Sequence, residues 1–236
     1  MTDIVLGIVA AILAITLHEA AHGYAALALG DDTARRMGRL SLNPIRHIDR
    51  VGTILLPGFL AISQLLTVGH IAFMFGWAKP VPVAANRFAD PRRGMMLVAS
   101  AGPLMNFFLA WLGALALHLD PYLPDAAAEL LTTFLVFFMT TNLVLGLFNL
   151  LPIPPLDGGR IVVGLLPLRA AMAWARMERA GIVVVLLLVF LLPAMLRELA
   201  GIRFDPLGDA LGTLLPRALR LVLMLAGHGA ESGFDD

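Results

Sequence analysis

Two histidines stand four residues apart in a stretch otherwise almost free of polar groups. His18 and His22, with Glu19 between them, lie in the string LHEAAHG from Leu17 to Gly23. The flanking runs AAILAIT and GYAALALG read as uninterrupted helix, and on a helix positions i and i+4 share a face. Two imidazoles on that face can reach one metal ion. The glutamate beside them is then close enough to take a proton from a water activated by the ion, which is the H-E-x-x-H arrangement of zinc hydrolases. Between Ile4 and Leu29 only Glu19 is charged, so the site would sit in a segment long enough to cross a bilayer. A polar cluster that merely stabilises helix packing is the weaker reading, because three such groups in an apolar helix are costly without a metal.

A catalytic zinc takes three protein ligands and keeps a fourth position open. Asp157 is the best candidate for the third. It follows a proline-broken helix end in the run NLLPIPPLDGGR, Asn149 to Arg160, and irregular backbone at membrane depth is tolerated only where it is buried in protein or lines a cavity. Its plainer alternative is to cap the short helix that starts at Gly158-Gly159. Asp120 and Glu129 belong to the loop at the far end of the preceding span, at the wrong depth. Asn106, Asn142 and Asn149 could offer side-chain hydrogen bonds to a substrate backbone in a partly polar cleft. Asn106 could equally bond across helices, and Asn149 could simply end its helix. His47 and His70 read as loop or packing histidines.

HEAAH, the run ASAGPLMN from Ala99 to Asn106, GWAKPVPV from Gly76 to Val83 and NLLPIPPLDGGR together resemble the site-2 protease family of intramembrane zinc metalloproteases. The likeness covers roughly Ile4 to Leu166, and the chain is similar to a compact prokaryotic subgroup with no room for a PDZ or CBS domain. The resemblance implies one zinc ion per chain, held by His18, His22 and Asp157, with Glu19 as general base and acid. It implies that Asn149 contacts the substrate strand. It also implies regulated cleavage of a membrane-anchored regulator, such as an anti-sigma factor or a transcription-factor precursor.

The elements that must position these residues are helices. The 236 residues are 59% hydrophobic and 14% charged, with mean hydropathy +0.84, a balance expected of membrane helices rather than of a soluble domain. Net charge is zero, so nothing points to nucleic acid. With no cysteine, disulfides and thiolate-bound zinc are excluded. The pattern predicts an all-α polytopic membrane protein, a bundle of five to six transmembrane or re-entrant segments. These are 4–29, a broken stretch 51–75, 94–117, 130–151, 182–196 and, as a sixth, an interfacial or spanning helix 206–226, with a short helix near 159–166 besides. Weak alternation in TARRMGRLSLNP suggests a small β-hairpin at the membrane surface, an edge with which a substrate strand could pair. One membrane domain, 1–227, and a disordered tail, 228–236, are expected. The start MTDIVLG lacks the basic residues of a signal peptide and is read as retained.

Charge bias orients the bundle. The 31–50, 76–93 and 160–179 regions are basic, while 118–129 has no Lys or Arg. Cytoplasmic loops favour Lys and Arg, so these basic regions belong together inside if 51–75 re-enters. The first segment then runs from outside to inside, bringing His18 and His22 to the depth of Asp157. The function expected is hydrolysis of peptide bonds in or near transmembrane segments of membrane-protein partners, within the lipid bilayer. A metal-transporting bundle, or an inactive relative that binds membrane partners, are the alternatives.

Overall fold

The computed structural model of the chain describes residues 1–67, 69–70, 76–177 and 201–229, and also 181, 183, 185, 187, 192, 193, 195 and 196. Among the described residues the helices with defined bounds are, in chain order, α1 (Thr2–Ala28), α2 (Thr33–Arg36), α3 (Leu56–Thr67), α4 (Pro91–Ala116), α5 (Asp125–Asn149), α6 (Asp157–Leu165), α7 (Leu168–Arg176) and α8 (Pro206–Leu225). Short 3₁₀ turns cover Pro44–His47, Ala85–Arg87 and Leu117–Tyr122, and a π-helical turn covers Arg50–Leu55. Three helices among the described residues are long and apolar enough to cross a membrane: α1, α4 with its 3₁₀ extension, and α5. At about 1.5 Å per residue, each exceeds a hydrocarbon core of roughly 30 Å.

These helices are built inside out relative to a soluble bundle. On α1 the buried positions include Ala10, Ala14, Ala20, Ala21, Gly23 and Ala26, while Ile4, Ile8, Ile12 and Ile15 face outward. On α4 Gly94, Ala99, Gly102, Ala110, Gly113 and Ala114 are inside, and Leu97, Leu104, Phe108 and Leu112 outside. Lipid solvates large side chains as well as a core does, so packing selects small residues that let backbones approach.

Cross-helix contacts fix the relative directions. Ala14, His18 and His22 of α1 meet Asn106, Asn106 and Val98 of α4 respectively, so α1 and α4 are antiparallel. Asn106 meets Asn142, and Gly113 packs on Met139, so α4 and α5 are antiparallel as well. Helices α1 and α5 therefore run the same way. The C-terminal end of α8 closes the opposite end of the bundle, where Val222, Leu223 and Ala226 pack with Ala110, Ala114, Met139 and Leu143. Asp209, Thr213 and Arg217 remain on the exposed face of α8.

The expected hairpin in 31–50 does not form; no strand occurs among the described residues. Asp31 starts α2 by accepting the Thr33 N–H at 3.0 Å, a local bond that competes with strand pairing. Gly38 takes a positive φ of 64°, and Asn43 caps the turn at Pro44. The backbone groups here pair instead with an extended segment, 76–84. Trp77 N–H donates to Gly52 O at 3.1 Å and Lys79 N–H to His47 O at 2.8 Å. Arg39 donates to Lys79 O at 2.9 Å. The chain therefore leaves at Gly52 and returns to the same point at Trp77.

The broken stretch expected at 51–75 is seen as the π turn and α3; residues 71–75 lie outside the described residues, as does most of the segment expected at 182–196. Nor is the expected tail free at its start. His228 Nε2 donates to Ala114 O at 2.8 Å, and its ring stacks on His118 at 4.2 Å. Residues 230–236 of that tail lie outside the described residues.

Candidate metal centre

His18 and His22 lie one turn apart on the buried face of α1, with relative exposures of 5% and 9%. Their rings meet edge to face, with centroids 4.7 Å apart. Asp157 reaches them because the chain turns sharply after α5. Leu150–Leu156 forms a knot of short turns, with Ile153 N–H on Leu151 O and Leu156 N–H on Ile153 O. The two glycines that follow are required by space. A Cβ at Gly158 would lie 2.2 Å from Leu150 O, and one at Gly159 would lie 2.6 Å from Pro154 N. Helix α6 begins at Asp157 itself, with Leu156 at the cap position.

Asp157 Oδ2 points at the histidines. It lies 3.2 Å from His18 Nε2 and 3.3 Å from His22 Nε2, and the two Nε2 atoms are 3.1 Å apart. Zinc bonds of about 2.0–2.1 Å in tetrahedral geometry set ligand atoms about 3.3 Å from one another, so this triangle has the dimensions of one face of a zinc tetrahedron. The donor set, two imidazoles and a carboxylate, is that of a catalytic zinc site. Asp157 Oδ2 is buried and has no hydrogen-bond donor of its own, a costly state without a cation. The outer nitrogens agree. His18 Nδ1 donates to Asn106 Oδ1 at 2.5 Å and His22 Nδ1 to Val98 O at 2.7 Å, so both Nε2 lone pairs face the centre.

Among proteins with curated names, the chain is 44% identical over 187 residues to "Putative zinc metalloprotease YwhC" of Bacillus subtilis (strain 168), covering 77% of this chain and 78% of that one. The chain belongs to peptidase family M50. The profile described as Peptidase family M50 matches residues 121–192, the region that carries α5 and Asp157. "Putative zinc metalloprotease Rip2" of Mycolicibacterium smegmatis (strain ATCC 700084 / mc(2)155) is 33% identical over 199 residues, covering 82% of this chain and 71% of the relative. Rip2 of Mycobacterium tuberculosis (strain ATCC 25618 / H37Rv) is also 33% identical, over 150 residues, and there the match covers about half of the relative (52%). No solved structure matches. This M50 chain is a metalloprotease and a membrane protein, and His18, His22 and Asp157 are placed to hold its metal ion.

The remaining sequence candidates of this M50 chain fall in different places. Glu19 is half-buried on the same turn as the histidines. Its Oε2 accepts the Val81 N–H at 3.2 Å, so the 76–84 segment lies against the carboxylate. Asn149 is half-buried at the end of α5, with its Nδ2 on Leu145 O at 3.0 Å. Asn106 and Asn142 have no exposed surface at all. They sit behind His18, hydrogen-bonded to each other, and that burial weighs against the expectation that they touch substrate. His47 is buried on Ser41 O at 2.8 Å, away from the ligand triangle.

Two contributors were not assigned to the site from sequence. Gly102 makes room for the site: a Cβ there would lie 2.5 Å from His22 Nε2 and 2.6 Å from His18 Cε1. A glycine inside a helical run is the signal that marks such a close approach. Val81 contributes a backbone N–H, which no side-chain pattern reveals.

Proposed function

We propose that this chain is an intramembrane zinc endopeptidase that cuts membrane-protein substrates in or near their transmembrane segments. The observation that carries this reading is the triangle of His18 Nε2, His22 Nε2 and Asp157 Oδ2, 3.1–3.3 Å on a side, buried among helices long and apolar enough to cross a bilayer. Zinc held there supplies Lewis acidity and lowers the pKa of water to about 7. Asn106 Oδ1 and Val98 O accept the Nδ1–H hydrogen bonds of His18 and His22 and so hold the two rings in orientation. Glu19 accepts a proton from the attacking water at its carboxylate and returns it to the leaving amine nitrogen. The Val81 N–H holds one Glu19 oxygen, leaving the other for the proton. A substrate helix hides its carbonyls in its own ladder, so a short stretch must unwind before it can reach these groups. Asn149, at the exposed end of α5, is the side chain we assign to contact with that unwound strand.

In this reading residues 1–227 form one multi-pass domain. Helices α1 and α5 run from outside to inside, and the 51–75 stretch re-enters on the cytoplasmic side. Parallel α1 and α5, the return of the chain at Trp77 to Gly52 and the basic character of 31–50 and 76–93 support it. The ligands cluster at one depth, with no second His/Asp/Glu group of this kind among the described residues. Transport would need a path of such groups, which disfavours the metal-transporting alternative.

The test is cleavage of a panel of single-span membrane proteins by purified protein in liposomes, with bound zinc measured alongside. Wild type is expected to cleave and Glu19→Gln to lose at least about 100-fold in rate while keeping its zinc. Equal cleavage by both would remove Glu19 from the chemistry. Absence of zinc from wild type would overturn the metalloprotease reading.

A further inference from the structure

We propose that Asn142 and Asn106 form a one-way hydrogen-bond chain that fixes which nitrogen of His18 carries its proton, and so sets how tightly the site holds its metal. The inference rests on the metal-site reading above and adds two positioning residues to it.

The direction of the chain is set at its far end. A backbone carbonyl can only accept a hydrogen bond. Phe138 O, on the same helix as Asn142, lies 2.8 Å from that side chain and so takes Nδ2. Asn142 Oδ1 is thereby turned toward Asn106 and accepts its Nδ2 at 2.8 Å. Ala14 O, on α1, takes the same Nδ2 at 3.4 Å and enforces the same orientation. Asn106 Oδ1 is left to face His18 Nδ1 at 2.5 Å. An oxygen there requires a proton on Nδ1, which leaves the Nε2 lone pair for the metal. With the Asn106 amide reversed, its N–H would face Nδ1. The imidazole proton would then move to Nε2, and His18 could not be a ligand through that atom.

The comparison with His22 explains why a second asparagine is needed. His22 Nδ1 donates to Val98 O, a backbone group that cannot flip. His18 depends on a side-chain amide, which can. Both asparagines are wholly buried, so no water competes for their groups, and the pair works as a unit. The hydrogen bonds of Asn142 go to Asn106 and Phe138 O rather than to His18, His22 or Asp157, yet it holds the amide that selects the His18 tautomer.

The test is zinc affinity of the full chain in detergent, by competition with a chromophoric chelator, for four variants whose folding is followed by size-exclusion profile. Asn106→Leu removes the acceptor and is expected to weaken zinc binding about 10- to 100-fold, as loss of such a partner does elsewhere. Asn106→Asp keeps an oxygen toward Nδ1 but turns its other oxygen on Asn142 Oδ1 and Ala14 O, and is expected to recover only part of that loss. Asn142→Leu frees the Asn106 amide to turn and is expected to cost several-fold. The double Asn106→Leu/Asn142→Leu variant is expected to bind no worse than Asn106→Leu, because links in series do not add. Two independent structural roles would give multiplied losses instead, and that result would overturn the inference. So would wild-type affinity in Asn142→Leu, which decides the matter alone should Asn106→Leu fail to fold. Zinc bound by wild type and equally by every variant defeats the chain while leaving the protease reading intact. No zinc in wild type defeats both.

Discussion

At the scale of residues, the proposed ligands could be picked out in the sequence because chemistry restricts their types. Two histidines and a glutamate at helical spacing in an apolar stretch have few uses, and an aspartate at a broken helix end has few more. What sequence spacing could not supply is long-range pairing: Asn106 is 88 positions from His18 and 36 from Asn142. Buried amides and substrate-facing amides look the same in one dimension. Gly102 is the sharpest case of a residue whose role is the absence of atoms. A methyl group there would overlap both imidazoles, so Gly102→Ala must push α4 away or turn the rings. The expected outcome is a loss of zinc affinity of at least about 10-fold with proteolysis falling in parallel, read by chelator competition and a cleavage assay. Asp157→Asn should also lose zinc, since the amide cannot replace the carboxylate charge, whereas Glu19→Gln should keep it. That split in metal content separates ligands from the proton carrier.

At the scale of elements, helix positions followed from apolar run length, and boundaries came within a few residues at α1, α4, α5 and α6. The expected strand in 31–50 failed for a local reason. Its alternation was short, and Asp31, Gly38 and Pro44 each impose turns that a strand cannot hold. Asp31 instead fastens the 76–90 segment to the end of α1. It is buried and accepts Thr33 Oγ1, Thr33 N–H and Ala84 N–H, with Arg87 Nε 3.8 Å away. Burial opposes its charge, but the Thr33 hydroxyl, the two N–H groups and the Arg87 guanidinium outweigh it and hold the carboxyl below its usual range. A carboxylate lowered in the folded state stabilises it above the unfolded pKa, and that contribution is lost as pH falls through the folded value. The fastening should therefore hold above about pH 4 and loosen in stronger acid. Proteolysis or hydrogen exchange in 76–90 between pH 6 and pH 3 should show it, and Asp31→Asn should flatten the profile. A second expected outcome concerns the turn after α5. Gly158→Ala puts a methyl group against the Leu150 and Leu151 carbonyls. Thermal unfolding in detergent should reveal a loss of about 1–3 kcal/mol, and metal content should fall with it because Asp157 is displaced.

At the scale of the whole molecule, the arrangement joins a chemical requirement to a topological one. His18 and His22 lie late in α1, and Asp157 follows the end of α5, so the three can meet only if these helices run the same way. Antiparallel α4 between them then brings the start of α4 back to the end of α1, and 31–90 must begin and end on one side. The bond from Trp77 N–H to Gly52 O closes the excursion between those points, which favours re-entry over a full crossing of 51–75. Because the chain has no cysteine, single-cysteine labelling in sealed vesicles can test this without background. Arg35→Cys sits at an exposed position of α2, just beyond α1, Arg93→Cys at an exposed position in the first turn of α4, and Tyr122→Cys is 84% exposed at the opposite end of the bundle. The first two should react with an impermeant maleimide from the same face, and the third only from the other. In the orientation proposed from the basic residues of 31–50 and 76–93 the first face is cytoplasmic, and intact cells should then label Tyr122→Cys and spare the other two. Labelling of Arg35→Cys and Arg93→Cys from opposite faces would mean that 51–75 crosses. The parallel course of α1 and α5 that brings Asp157 to the histidines would then not survive.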